Sequence, residues 1–354
     1  MQRSLTVLLF MLSSIFSSSA LSWGGRGHDA ICHVASFLVQ ESELKNYLRH
    51  KPQMMGHLCN MPDFYWKSLG PEVSKLGDAT HFIDLEVIPL KIKEIPLDYK
   101  KIITDFTGQP NKFKNDGTTI KSIPQEFGSV WWRADQFLRL ISSLQKELAA
   151  AVFPKGFKEE QNYELPYNKS VYQMMTYMGL MGHFVGDNAQ PFHTTADYDG
   201  YGTGHGGIHA YFEDRVVGEF DGDLESLVLQ KARSLKNPEF LKPATALEKM
   251  RVLSAISNSE IPLMLKLDPV KQKSVLKNEH GMELKTAAER EAPAVAFKKM
   301  KPHIVTQMAR GSLLLAHLWD EAYRQAGRPT LRNYKSYQYP FTVDFVAPDY
   351  FENK

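Results

Sequence analysis

The sequence predicts an all-α fold, a single mainly helical domain with long loops over residues 23–354. Two observations predict it. Several long segments carry apolar residues at helical spacing, and strand-like alternation is scarce.

The elements follow in chain order. Residues 1–22 read as a signal peptide: Arg3 gives a positive start, Leu5 to Phe16 an apolar stretch, and Ala20 and Ser22 the small residues of a cleavage site. That stretch is too short to span a bilayer well, so a secreted or periplasmic protein with no stable membrane anchor is expected. The segment from His28 to Gln40 places Ile31, Val34, Ala35 and Leu38 on one helical face. Between His81 and Leu90 the β-branched and aromatic content is high, but Pro89 and Pro96 make 83–102 an irregular loop. Val130 to Val152 and Val171 to Asp187 are helical by the spacing of Phe137, Leu138, Ile141 and of Met174, Met178, Met181. Ala196 to Gly207 holds five glycines and two aspartates and must be a loop. The stretch 236–286 mixes helix-like and breaker signals and gives no clear pattern. A last helix runs from Pro302 to Gln325 and stops at Gly327 and Pro329, after which an aromatic, proline-containing tail reads as an extended strap.

Composition narrows the functional classes. An apolar fraction of 43% and a charged fraction of 23% describe an ordinary globular chain. The net charge of +2 gives no global basic field, so a polyanion would have to be held by local groups. Two cysteines, Cys32 and Cys59, in an exported chain read as one disulfide. Asn168-Lys169-Ser170 is a glycosylation sequon.

The chemistry concentrates around histidine and carboxylate. His183 and Asp187 lie four apart, one turn apart on one helical face. His193 follows Gln190-Pro191, where that helix must end, and beyond the glycine-rich loop His209 and Glu213 repeat the spacing of four. Nitrogen and oxygen ligands in this mixture suit zinc. No nucleophile-elbow pattern supports a serine or cysteine hydrolase. Cleavage after Ser22 would leave Trp23 with a free amine, whose pKa of about 8 allows it to act as a neutral ligand.

The chain resembles the zinc-dependent superfamily that holds the fungal and plant single-strand-specific nucleases and the bacterial zinc phospholipases C. The resemblance rests on Trp23-Gly-Gly-Arg-Gly-His28, on Asp63, on His81-Phe82-Ile83-Asp84, on the block from His183 to His193, and on His209 with Glu213. It implies three zinc ions. The first would be held by Asp63, His81, His183 and Asp187; the second by Trp23, His28 and a bridging Asp187; the third by His193, His209 and Glu213. A zinc-activated water would then hydrolyse a phosphodiester, with Asp63 and Asp187 as catalytic carboxylates. Phe82 would stack on a base and Asp84 would bind its edge, while Lys67 and His205 would lie near the phosphate. Single-stranded nucleic acid is the expected partner, with no obligate protein partner. The phospholipid head group is the alternative, because Glu213 stands where the nucleases usually have aspartate. Trp66 also stands where they have a lysine or arginine, with Lys67 one residue later. A zinc-binding secreted protein without catalysis is the further alternative.

Overall fold

Helix α4, Pro166–Ala189, runs through the middle of the protein and is buried on nearly every side. Around it pack α1 (Gly24–Ala35), α2 (Pro52–Phe64), α3 (Val130–Ser143), α6 (Ala246–Ser259) and α7 (Pro293–Gln325), while α5 (Leu224–Ser234) lies against α1 and α7. A helix with apolar residues all round belongs in the centre of a domain, and α4 is rich in methionine, which fills irregular gaps. The structure is a computed structural model and describes residues 23–114, 116–279, 282–331 and 342–351. The expected leader, 1–22, lies outside the described residues.

The fold is mainly helical, as the sequence predicts, and its buried apolar side chains form one continuous core. Several boundaries differ from expectation. Helix α1 starts at Gly24 and ends at Ala35, before Gln40, whose main-chain N–H donates to Asp320 of α7 together with that of Glu41. The segment expected as one helix to Val152 is interrupted at Leu144. Pro302 lies inside α7, which begins nine residues earlier at Pro293. The unread stretch contains α6 and a small antiparallel ribbon pairing Val275–Glu279 with Met282–Thr286, and its Val270–Gln272 pairs with Glu289–Arg290 just beyond it. The expected irregular loop at 83–102 holds, apart from a single turn at Ile92–Glu94 and the start of a short helix at Tyr99.

Cys32 of α1 and Cys59 of α2 form the disulfide. It packs against α4 at Gly182, where an added Cβ would stand 2.1 Å from the Cys32 sulfur. The described part of the tail, 342–351, lies along α3 as the strap the sequence suggests. Trp66 Nε1 donates to Val343 O at 2.8 Å, Gln136 Nε2 donates to Ala347 O at 2.8 Å, and Arg139 forks onto Asp349. Arg133 also donates to Val346 O; its guanidinium is fully buried beside the rings of Trp66, Phe137, Phe184 and Phe345. Burial depresses its pKa to about 10, so it stays charged at neutral pH. Among the described residues no helix is long and apolar enough to cross a membrane.

Candidate metal centre

The chain enters α1 through two successive residues of positive φ, Trp23 at 48° and Gly24 at 53°. A tryptophan rarely adopts that conformation, and here three anchors hold it. The indole is fully buried, its Nε1 donates to Gly186 O at 2.7 Å, and the main-chain nitrogen donates to Glu213 Oε2 at 3.0 Å. This start turns His28 inward, against α4.

Four further side chains converge on His28. Asp187, in the last turn of α4, presents its two oxygens in different directions. Oδ1 lies 3.2 Å from His28 Nε2, while Oδ2 lies 3.1 Å from His81 Nδ1 and 3.4 Å from His183 Nε2. Asp63, in the last turn of α2, brings Oδ1 to 3.7 Å from His183 Nε2 and 3.8 Å from His81 Nδ1. The His28 and His183 rings stack at 4.0 Å. Gly186 permits the approach of α1, since a Cβ there would lie 3.0 Å from His28 Nδ1. His183 Nδ1 is 2.8 Å from Cys59 O, which fixes the ring with Nε2 towards the carboxylates.

A third group lies beside these. Gln190 ends α4, and the short turn Pro191–Thr194 then delivers His193, whose Nδ1 is 2.8 Å from His81 O. His209 sits in a single α-turn that runs directly into a π-helical turn, Tyr211–Val216, carrying Glu213. The expected spacing of four brings His209 Nε2 to 2.9 Å from Glu213 Oε2 even though the helix widens between them. Glu213 Oε2 also accepts from Gln190 Nε2 at 3.0 Å.

Three groups of buried His, Asp and Glu among the described residues are thus arranged to hold metal ions: His28, Asp63, His183; His81, His183, Asp187; and His193, His209, Glu213. The atoms left without hydrogen bonds support that arrangement. His193 Nε2, His209 Nε2 and Glu213 Oε1 are buried with no hydrogen-bond partner, a cost that a cation removes. Electrostatics agrees. Burial holds His81, His183 and His193 well below the usual histidine pKa, in the neutral form that ligates. Burial, then the neighbouring Asp63, raises Asp187 well above the carboxylate range. Burial raises Glu213 too. At His209 burial opposes the charge, but Glu213 outweighs it and the net shift is upward. Two carboxylates forced together in a dry site call for a cation.

The groups open into a cleft of about 550 Å3 lined by Lys67, His81, Phe82, Asp84, Phe192, His193, Tyr198 and His209. Lys67 Nζ lies 2.6 Å from Asp63 Oδ1; burial opposes its charge, yet the carboxylate raises its pKa. Phe82 is held at the rim by Gly128, whose φ of 81° and missing Cβ leave room 2.2 Å from Phe82 O. Burial, then Glu86, raises Asp84 well above the carboxylate range.

No protein-family model matches the chain, and neither does any curated protein.

Two expected site residues meet partners that the resemblance does not imply. The Trp23 nitrogen faces Glu213 of the third group, where the resemblance implies a place beside Asp187; as a peptide N–H it can only donate, and Glu213 is the nearby acceptor. His205 is not among the residues lining the cleft. Its Nδ1 pairs with Asp268 Oδ2 at 2.8 Å, and Arg290 binds the same carboxylate and Gly206 O. The ribbons at 270–290 therefore brace the glycine-rich loop, with Ser274 N donating to Gly204 O and Ala288 N to Gly206 O. Tyr198, Gln125 and Ser74 of the cleft were not predicted. Only Tyr198 carried a signal, as an aromatic within the glycine-rich loop between two ligand motifs.

Proposed function

We propose that the chain is a trinuclear zinc phosphodiesterase, an endonuclease/3'-nucleotidase that hydrolyses single-stranded DNA and RNA. One observation carries the zinc reading. Two ligands about 2.05 Å from a tetrahedral zinc lie about 3.3 Å apart. The contacts of Asp187 with His28, His81 and His183, at 3.2, 3.1 and 3.4 Å, cluster about that separation. Salt bridges alone favour shorter contacts. Asp187 would bridge two ions, with Asp63, His81 and His183 on one side and His28 with the Trp23 amine on the other. His193, His209 and Glu213 would hold the third. Export after cleavage before Trp23 is part of the proposal, and the disulfide supports an oxidising location.

Bound zinc would supply Lewis acidity, lowering the pKa of a bound water and neutralising charge on a phosphodiester. The chain's own side chains do the rest. Asp63 would orient the attacking water and accept its proton, while Asp187, with both oxygens engaged as ligands, would fix the geometry in which the water is held. The Lys67 ammonium meets a phosphate oxygen at the edge of the cleft. Phe82 offers a face to an unpaired base, worth about 1–3 kcal/mol and tolerant of sequence. Asp84 takes up the edge of that base. Burial of the whole group excludes bulk water and strengthens each of these interactions.

Phospholipase C is the second reading, favoured by glutamate at position 213 and the short loop between His193 and His209. The test offers zinc-loaded protein denatured DNA, RNA and phosphatidylcholine separately. Acid-soluble nucleotides without phosphocholine are expected. Phosphocholine alone would replace the nuclease reading with the lipase one, and full zinc content with no hydrolysis would leave a zinc-binding protein.

A further inference from the structure

A second cavity, of about 400 Å3, adjoins the cleft across a narrow ridge of chain. Along the ridge, side chains alternate between the two. Asp84, Ala196 and Tyr198 line the cleft, whereas Glu86, Thr195 and Asp197 line the second cavity, and Phe192 lines both. The ridge is fixed: Ala196 N donates to Glu86 Oε2 at 3.2 Å, and Gly202 N donates to Asp197 Oδ1 at 2.8 Å. Each carboxylate thus spends one oxygen on the backbone. Phe113, Ile261 and Leu265 make most of the remaining wall apolar, and its two other polar side chains, Thr203 and Asn258, donate to the backbone at Gly200 O and Thr194 O. No lysine or arginine is among the residues lining the cavity.

These features select a ligand. Acceptor-only carboxylates repel phosphate and take hydrogen bonds from amino groups. Aromatic and aliphatic faces take a flat ring. A nucleobase with an exocyclic amine joins both properties, and a carboxylate accepting from cytosine N4 is an established pairing. We propose that this cavity is a second nucleobase subsite, selective for amino-bearing bases over uracil, which receives the nucleotide on the far side of the ridge from Phe82. The subsite rests on the nuclease reading of the adjoining cleft. It gives the enzyme a preference set by the position of a base relative to the cut, beyond its demand for single strands.

The experiment compares kcat/KM on cytidine and uridine tetranucleotides for the wild type, Asp197→Asn and Phe113→Ala. Asparagine can still accept from Gly202 N, and Phe113 is 39% exposed, so both variants should fold. The expected result is a cytidine preference that falls about tenfold in Asp197→Asn, mostly through KM, because the asparagine amide offers uracil O4 a donor that the carboxylate lacks. Phe113→Ala should weaken both substrates through KM alone. An unchanged cytidine-to-uridine ratio in Asp197→Asn overturns the subsite while leaving the nuclease reading intact. So does competition by choline with no effect of base identity, which would assign the cavity to a cationic head group. A wild type that cleaves neither oligonucleotide overturns the nuclease reading and the subsite with it.

Discussion

The carbonyl of Cys59 lies 2.8 Å from Nδ1 of His183. The same residue is bonded through sulfur to Cys32, one helical turn beyond His28. The disulfide therefore ties together two helices that each supply a candidate ligand, and its Cys59 end orients a third. Replacing both cysteines by serine keeps the carbonyl but removes the tether. The expected loss is about 3 kcal/mol of unfolding free energy by urea titration, from the entropy the cross-link withholds from the unfolded chain. A change below about 0.5 kcal/mol would contradict a structural role for the bond.

Gly182 leaves no room for a methyl group. Its Cβ would meet the Cys32 sulfur at 2.1 Å and Leu315 at 3.0 Å. Gly182→Ala should destabilise the protein by about 1–3 kcal/mol despite alanine's better helix propensity. A thermal melt equal to the wild type would show that α4 can move away from the disulfide.

The sequon at Asn168 is unsuited to glycosylation once the chain has folded. Asn168 is fully buried, and its amide donates to Glu159 O at 2.7 Å and Asn162 O at 2.8 Å, closing the turn before α4. Intact-mass measurement of the protein secreted by a eukaryotic host should show no glycan there. Asn168→Ala should cost about 1–3 kcal/mol, because those carbonyls lose their donor.

Acid should release the tail. The fork from Arg139 holds the Asp349 carboxyl below its ordinary pKa of 3.8. A depressed folded pKa stabilises the docked tail above the unfolded pKa, and that contribution disappears as pH falls through the folded value. Limited proteolysis within 342–351 should therefore accelerate below about pH 4. Protection of the tail that is unchanged down to pH 3 would contradict the anchor.

The sequence exposed the site more fully than the fold. Spacing of four gave His183 with Asp187 and His209 with Glu213, because neighbours on a helix face keep that separation even where the second pair crosses into a π-turn. Asp63 and His81 have no local spacing signal, and came only from the resemblance; their meeting depends on how α2 and the segment beyond the short helix Pro71–Asp78 pack on α4. The partner of His205 was illegible for the opposite reason. Its position in a glycine-rich loop suggested substrate contact, while its partner Asp268 is 63 residues away. Helix ends were missed where tertiary groups decide them, as Asp320 does beyond α1. The ribbons at 270–290 were unreadable because their exposed, charged strands lack an alternating apolar face.

Metal content tests the central claim most directly. Protein beginning at Trp23 should carry three zinc ions per chain, one for each group of ligands. Glu213→Gln should lose one of them and Asp187→Asn two, with helical content unchanged by circular dichroism. A folded wild type that binds no stoichiometric zinc after incubation with the metal and gel filtration would contradict the account.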